Sequence, residues 1–154
     1  MSSAAERLAA LGLTLPPVTA PVAAYVPAVR TGSYVYVSGQ LPVVDGKLPA
    51  TGKVGDAVSA QDAAAMARTC ALNALAAAAD AAGGLDAIVR IVKVLGFVAS
   101  APGFNGQPQV VNGASELLIE VFGEAGRHAR SAVGVAELPL DAPVEVELIA
   151  EVRA

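Results

Sequence analysis

An α+β domain, with one mixed sheet carrying two helices on one face, is the fold class that this 154-residue chain predicts. Three observations predict it. Residues 144–152 alternate strictly: Val144, Val146, Leu148, Ala150 and Val152 face one way, and Glu145, Glu147, Ile149, Glu151 and Arg153 the other. That period of two belongs to a strand with one face on a core. Residues 59–82 are alanine-rich, open on Ser59 and stop at Gly83-Gly84, so they read as a long helix. Residues 88–99 are rich in Val, Ile and Phe and read as a central strand. No segment repeats another, and 1–154 reads as one domain.

Taken in order, Ser2/Ser3 to Leu11 predicts a short amphipathic helix stopped by Gly12. Pro16, Pro17 and Pro21 predict an extended arm, so residues 1–20 form an N-terminal helix and arm. Tyr25–Val29 and Tyr34–Val37 predict a hairpin around Thr31-Gly32, with Tyr34, Tyr36 and Ser38 on one face. Gly39 follows; it permits a turn or bulge, or lets backbone approach a ligand. Asp45-Gly46 is a turn signal and residues 47–55 a polar loop. Ser59 caps the long helix with Asp62 in the capping-box position. Residues 102–108 predict a loop. Val110–Glu124 predicts the second helix, with Leu117, Leu118, Val121 and Phe122 inward and Gly126 as its end. Ser131–Ala136 and Val144–Val152 are the last strands, separated by Pro139, Asp141 and Pro143.

Composition narrows the function. Net charge is −4 with a pI of about 4.9, and no run of Lys or Arg occurs. Nucleic-acid binding requires a basic patch that displaces counterions, so nucleic acid is not expected as a partner. No apolar span of about 20 residues is uninterrupted, and the N-terminus lacks a long apolar core, so neither a membrane span nor a secretory signal is expected. One cysteine suits a reducing cytoplasm. A single His and a single Cys give no metal-ligand set, and the phosphate-loop and dinucleotide motifs are absent. Cys70 reads as a core thiol. An apolar fraction of 55% against 16% charged has two readings: abundant alanine, or burial between subunits.

The candidate site is the stretch His128–Arg153. Arg130 opens a strand in which Ala132, Gly134 and Ala136 share its face, leaving room beside the guanidinium, and a row of glutamates returns on the next strand. Arg130 reads either as a strand-end ion pair with Glu145, Glu147 or Asp141, or as a fork for a ligand carboxylate. His128 is either a solvated or hydrogen-bonded histidine or a rim residue near Arg130.

The segment ARSAVGVAELPLDAPVEVELIA, with Ser38-Gly39-Gln40-Leu41-Pro42, Tyr25 and Val111-Asn112 upstream, resembles the RidA/YjgF family of enamine/imine deaminases, formerly called endoribonuclease L-PSP. The resemblance runs from Tyr25 to the end; residues 1–20 and a longer loop before Asn112 are extra, which suits a longer subgroup. It implies a chorismate-mutase-like fold, a homotrimer with a central barrel, and pockets between subunits. It implies hydrolytic deamination of 2-imino or 2-enamino acids to 2-oxo acids and ammonia, without a cofactor. Arg130 would hold the substrate carboxylate and Glu145 would place water. The Gly39 backbone would meet the ligand, Tyr25 and Asn112 would line the pocket, and Ser38 and Ser131 are weaker candidates. Glu147 receives no role. Ala132 stands where the family has Cys or Thr, which bears on substrate identity. A non-catalytic binder or sensor of small carboxylates would use the same arginine; a ribonuclease is the third reading, and the acidity opposes it.

Overall fold

The computed structural model describes residues 1–18, 20–21 and 23–154. Helix α1 (Ala4–Ala10) carries a full capping box: the Ser3 hydroxyl accepts from the Glu6 N–H, and the Glu6 carboxylate accepts from the Ser3 N–H. Thr19 and Val22 of the expected arm lie outside the described residues; 13–18 and 20–21 have no regular secondary structure. Strand β1 is Ala28–Thr31, not Tyr25–Val29. Pro27 has no N–H for a ladder, so pairing begins one residue after it, and Tyr25 sits in a bend. Strand β2 extends from Tyr34 to Gln40, past the expected end at Val37, through an irregularity between Val37 and Gln40.

Helix α2 (Ala60–Ala82) starts where Ser59 accepts from the Asp62 N–H, and ends on Gly83 in the left-handed region at φ 90°. Strand β3 is Ile88–Ala99, as the Val/Ile/Phe run predicts. Helix α3 is Gln107–Phe122, three residues earlier at its start than the expected Val110. Pro108 lies in its first turn, where a missing N–H costs nothing. Its cap is Gly123, and Gly126 instead ends a following 3-10 turn, Gly123–Gly126. Strands β4 (Ala129–Val135) and β5 (Val144–Val152) complete the sheet.

The sheet order is β1-β2-β5-β3-β4, with β3 and β4 parallel and the other neighbours antiparallel. One expectation is corrected here. The glutamate strand β5 does not lie beside β4, because β3 is inserted between them. The middle of the sheet is therefore β5, and β4 is an edge. Helices α2 and α3 cover one face over Val35, Val37, Ile91, Val94, Val98, Val144, Val146, Leu148, Ala150 and Val152, all buried. A third helix, α1, packs on α3 rather than on the sheet. Val133, Tyr34 and Tyr36 lie on the opposite face and are exposed. No helix among the described residues is long and apolar enough to cross a membrane.

Candidate functional site

The register assigns each candidate to a face. Arg130 is in line with Val94 of β3 and, beyond it, Leu148 of β5, both buried beneath the helices. Its side chain therefore lies on the helix face, at the sheet edge, against α3. There Nη1 donates to Asn112 Oδ1 at 2.7 Å and to Ser115 Oγ at 3.3 Å, and Nη2 donates to the Pro108 carbonyl at 3.4 Å. Asn112 and Ser115 are i, i+3 on α3, so they share the face turned to β4.

The expected ion-pair partners are elsewhere. Glu145 and Glu147 pair with Phe97 and Leu95 on the other face of the sheet, and among the described residues Arg130 enters no ion pair. All three acceptors on Arg130 are neutral. A guanidinium has five N–H donors. Three are taken by protein acceptors, so two, the Nε–H and one on Nη2, have no acceptor among the described residues. Neutral groups alone orient this half-buried cation. Small residues also shape this corner. A Cβ on Gly134 would meet Gln107 Nε2 at 2.9 Å, and one on Gly96 would run into Val111; small residues here let α3 close on the sheet edge.

His128, just before β4, completes this corner. Its Nδ1 lies 2.6 Å from the Gly126 carbonyl and its Nε2 2.8 Å from Ser115 Oγ. Burial, then the Arg130 charge, hold its pKa below the ordinary histidine value, although the Gly126 carbonyl works the other way. Ser115 was not among the expected site residues; its spacing of three from Asn112 was the available signal.

The remaining candidates gather around Gly39. A Cβ there would run into the Glu145 carboxylate, so glycine is what lets Glu145 lie against the β2 backbone. Half-buried Glu145 has its pKa raised, by burial first and then by Glu147. Gly39, Gln40, Tyr25, Pro27, Leu41, Val43 and Leu140 line one cavity of about 130 Å³. Ser38 faces inward chemically: its hydroxyl donates to the Val26 carbonyl at 2.7 Å and its N–H to the Pro27 carbonyl at 2.9 Å, pinning the Tyr25 bend to β2. Asn73 of α2 donates to the Leu41 and Val43 carbonyls, both at 3.0 Å, fixing the far wall. Ser131 shares a row with Leu95 and Glu147, so it points away from Arg130.

The seven candidates thus fall into groups. Arg130 and Asn112 form one, Tyr25, Ser38, Gly39 and Glu145 another, and Ser131 joins neither. Arg130 and Glu145 are on opposite faces and two strand spacings apart, about 10 Å laterally. One chain does not bring them together. Among the described residues no three His, Cys, Asp or Glu side chains gather closely enough to hold a metal. Cys70 is buried, and burial pushes its thiol well up, as an inert core position requires.

Residues 5–152 match the family model described as "YjgF/chorismate_mutase-like, putative endoribonuclease". The chain belongs to this family. Protein TCP17 of Trypanosoma cruzi is 46% identical over 97% of this chain and 94% of its own. The crystal structure of Atu1372 from Agrobacterium tumefaciens, a protein with unknown function, matches with a TM-score of 0.90 at 48% identity, over 97% of this chain and 92% of that one. TdcF from E. coli, with bound serine, matches at 0.66 and 31% identity, over 89% of this chain and 94% of that one. The resemblance read from ARSAVGVAELPLDAPVEVELIA therefore holds at the level of the family and its fold.

Proposed function

We propose that this YjgF-family chain hydrolyses 2-imino or 2-enamino acids to 2-oxo acids and ammonia, in pockets shared between the subunits of a homotrimer. The observation that carries the proposal is Arg130: a guanidinium oriented by three neutral acceptors, with two N–H donors left and no carboxylate of its own. A substrate carboxylate would take those donors and be fixed in position and orientation. Serine, the molecule bound to TdcF, carries a carboxylate beside a nitrogen-bearing carbon, which is the same arrangement.

The chemistry asks little of the protein. The C=N carbon of an imine is already electrophilic. Water placed by Glu145 adds to it, the resulting carbinolamine collapses, and the C–N bond breaks to give a carbonyl and ammonia. Glu145 belongs to the Gly39 group, so the partner subunit would supply it to the Arg130 pocket. The sheet face free of helices, with Tyr34, Tyr36 and Val133 exposed, is the surface a trimer would cover in a central barrel.

The second reading, a binder of small carboxylates without turnover, is favoured by Ala132, which offers no hydrogen bond where the family has Cys or Thr. Ammonia release separates the two. Imino acids generated in place by an amino-acid oxidase should yield ammonia faster with the protein present. Arg130→Ala should lower kcat/KM roughly ten- to a hundred-fold, since a charge-assisted hydrogen bond contributes about 1.5–3 kcal/mol. Arg130→Lys should resemble Arg130→Ala, because a lysine keeps the charge and loses the fork. Ligand binding that depends on Arg130 without ammonia release would establish the second reading instead.

A further inference from the structure

The hydrogens at the corner of α3 and β4 can be assigned one by one. The Gly126 carbonyl can only accept, so His128 Nδ1 carries a proton. A neutral imidazole then has Nε2 as its acceptor, and the Ser115 hydroxyl donates to it. With its hydrogen committed, Ser115 Oγ presents lone pairs to Arg130 Nη1. Every link has one direction: Arg130 Nη1–H to Ser115 Oγ, Ser115 Oγ–H to His128 Nε2, and His128 Nδ1–H to the Gly126 carbonyl. Burial and the nearby guanidinium favour the neutral imidazole this chain needs.

We propose that Ser115 and His128 are positioning residues, which hold the Arg130 guanidinium at its carboxylate-binding angle through a directional hydrogen-bond chain anchored on the Gly126 carbonyl. The inference rests on Arg130 being the carboxylate anchor.

The far end of the chain is rigid. Gly126 is buried, and a Cβ there would run into the Leu118 carbonyl, so the 3-10 turn lies directly on α3. Ser115 is one of two buried polar side chains among the described residues, and it sits between Ala114 and Leu117, both fully buried. Asn112 accepts one Nη1 hydrogen at 2.7 Å and the Pro108 carbonyl one Nη2 hydrogen at a longer 3.4 Å, so the fork is held closely at only one of these points. The second Nη1 hydrogen, directed to Ser115 at 3.3 Å, adds a further point and narrows the swing about the Asn112 contact. Without the histidine, the Ser115 hydroxyl could rotate its own hydrogen toward the cation and lose the contact.

His128 is the chain's only histidine, so its ring nitrogens give unambiguous NMR signals. In the trimeric wild type near pH 7, ¹⁵N shifts should report a protonated Nδ1 and an unprotonated Nε2. They should move when 2-oxobutanoate is added, and stay still when it is added to Arg130→Ala. An Nε2–H tautomer would overturn the proposal, whatever any variant does. Ser115→Ala and His128→Leu should raise KM and the 2-oxobutanoate Kd about three- to tenfold with kcat little changed, the size of one hydrogen bond to an anchor used equally before and during reaction. His128→Gln, whose amide oxygen can stand where Nε2 does, should recover most of that loss. If Ser115→Ala and His128→Leu bind as wild type while Arg130→Ala does not, the positioning role fails and the anchor stands. If Arg130→Ala also binds as wild type, the anchor itself fails.

Discussion

At the scale of single residues, the tension lies at Glu145. It is half-buried, next to Glu147, with a pKa raised by both circumstances. The folded state therefore binds a proton at Glu145 more tightly than the unfolded chain does. The sign follows: ionised Glu145 costs stability above its folded pKa, and the cost fades as pH falls below the ordinary carboxylate value. Glu145→Gln removes the charge at nearly constant shape. It should melt at a higher temperature than wild type near pH 7, and the gap should close on acidification toward pH 4, as followed by calorimetry. The same variant should lose turnover while keeping 2-oxo acid affinity, because water placement is its proposed task. A Glu145→Gln protein less stable than wild type at neutral pH would mean that assembly gives the carboxylate a stabilising partner, such as the arginine of a neighbouring subunit, which outweighs burial and Glu147.

At the scale of elements, close approach by small residues sets the geometry. Gly113 of α3 lies so near α2 that a Cβ would run into the Ala64 carbonyl. Helix propensity alone says Gly113→Ala gains about 1 kcal/mol. Packing says it forces the helices apart and costs about 1–3 kcal/mol. The packing term should win, and the urea midpoint should fall; a rise would contradict so close an approach of α3 to α2. Most elements were legible because their signals are local: Ser59 and Gly83 for α2, the apolar run for β3, and alternation for β5. Two boundaries depart from expectation through proline. Pro27 excludes the expected first half of β1, and Pro108 starts α3 where the sequence predicts the end of a loop. What alternation cannot give is strand order. It says which residues of one strand share a face, but not which strand lies beside it. Arg130 and the glutamates looked like neighbours in sequence. The insertion of β3 and the opposite facing of their side chains separate them. Arg130 was legible from its motif as the candidate anchor; its contact with Ser115, and through Ser115 with His128, depended on where α3 lands.

At the scale of the whole molecule, the uncovered sheet face and the split candidates point the same way. Two incomplete groups on one chain become complete sites if a neighbour brings Glu145 to Arg130. Light scattering on the gel-filtration peak should give about three chain masses, close to 46 kDa from 15.3 kDa each. A monomer at micromolar concentration would leave both groups incomplete.

The shared pocket is tested most directly by mixing two defective chains. Arg130→Ala and Glu145→Gln are each expected to be poor catalysts alone, since every site in either trimer lacks one group. Co-expressed with distinct tags at equal amounts, they should assort at random. An interface is intact when its arginine comes from the Glu145→Gln chain and its glutamate from the Arg130→Ala chain, which holds for about a quarter of interfaces. Ammonia release by the whole co-expressed population should therefore recover to about a quarter of the wild-type rate, and by hybrids selected on both tags to about a third, since each has one intact interface of three. If the hybrid trimers form and release no more ammonia than the two parents, Arg130 and Glu145 do not meet across an interface, and the account of the site is wrong.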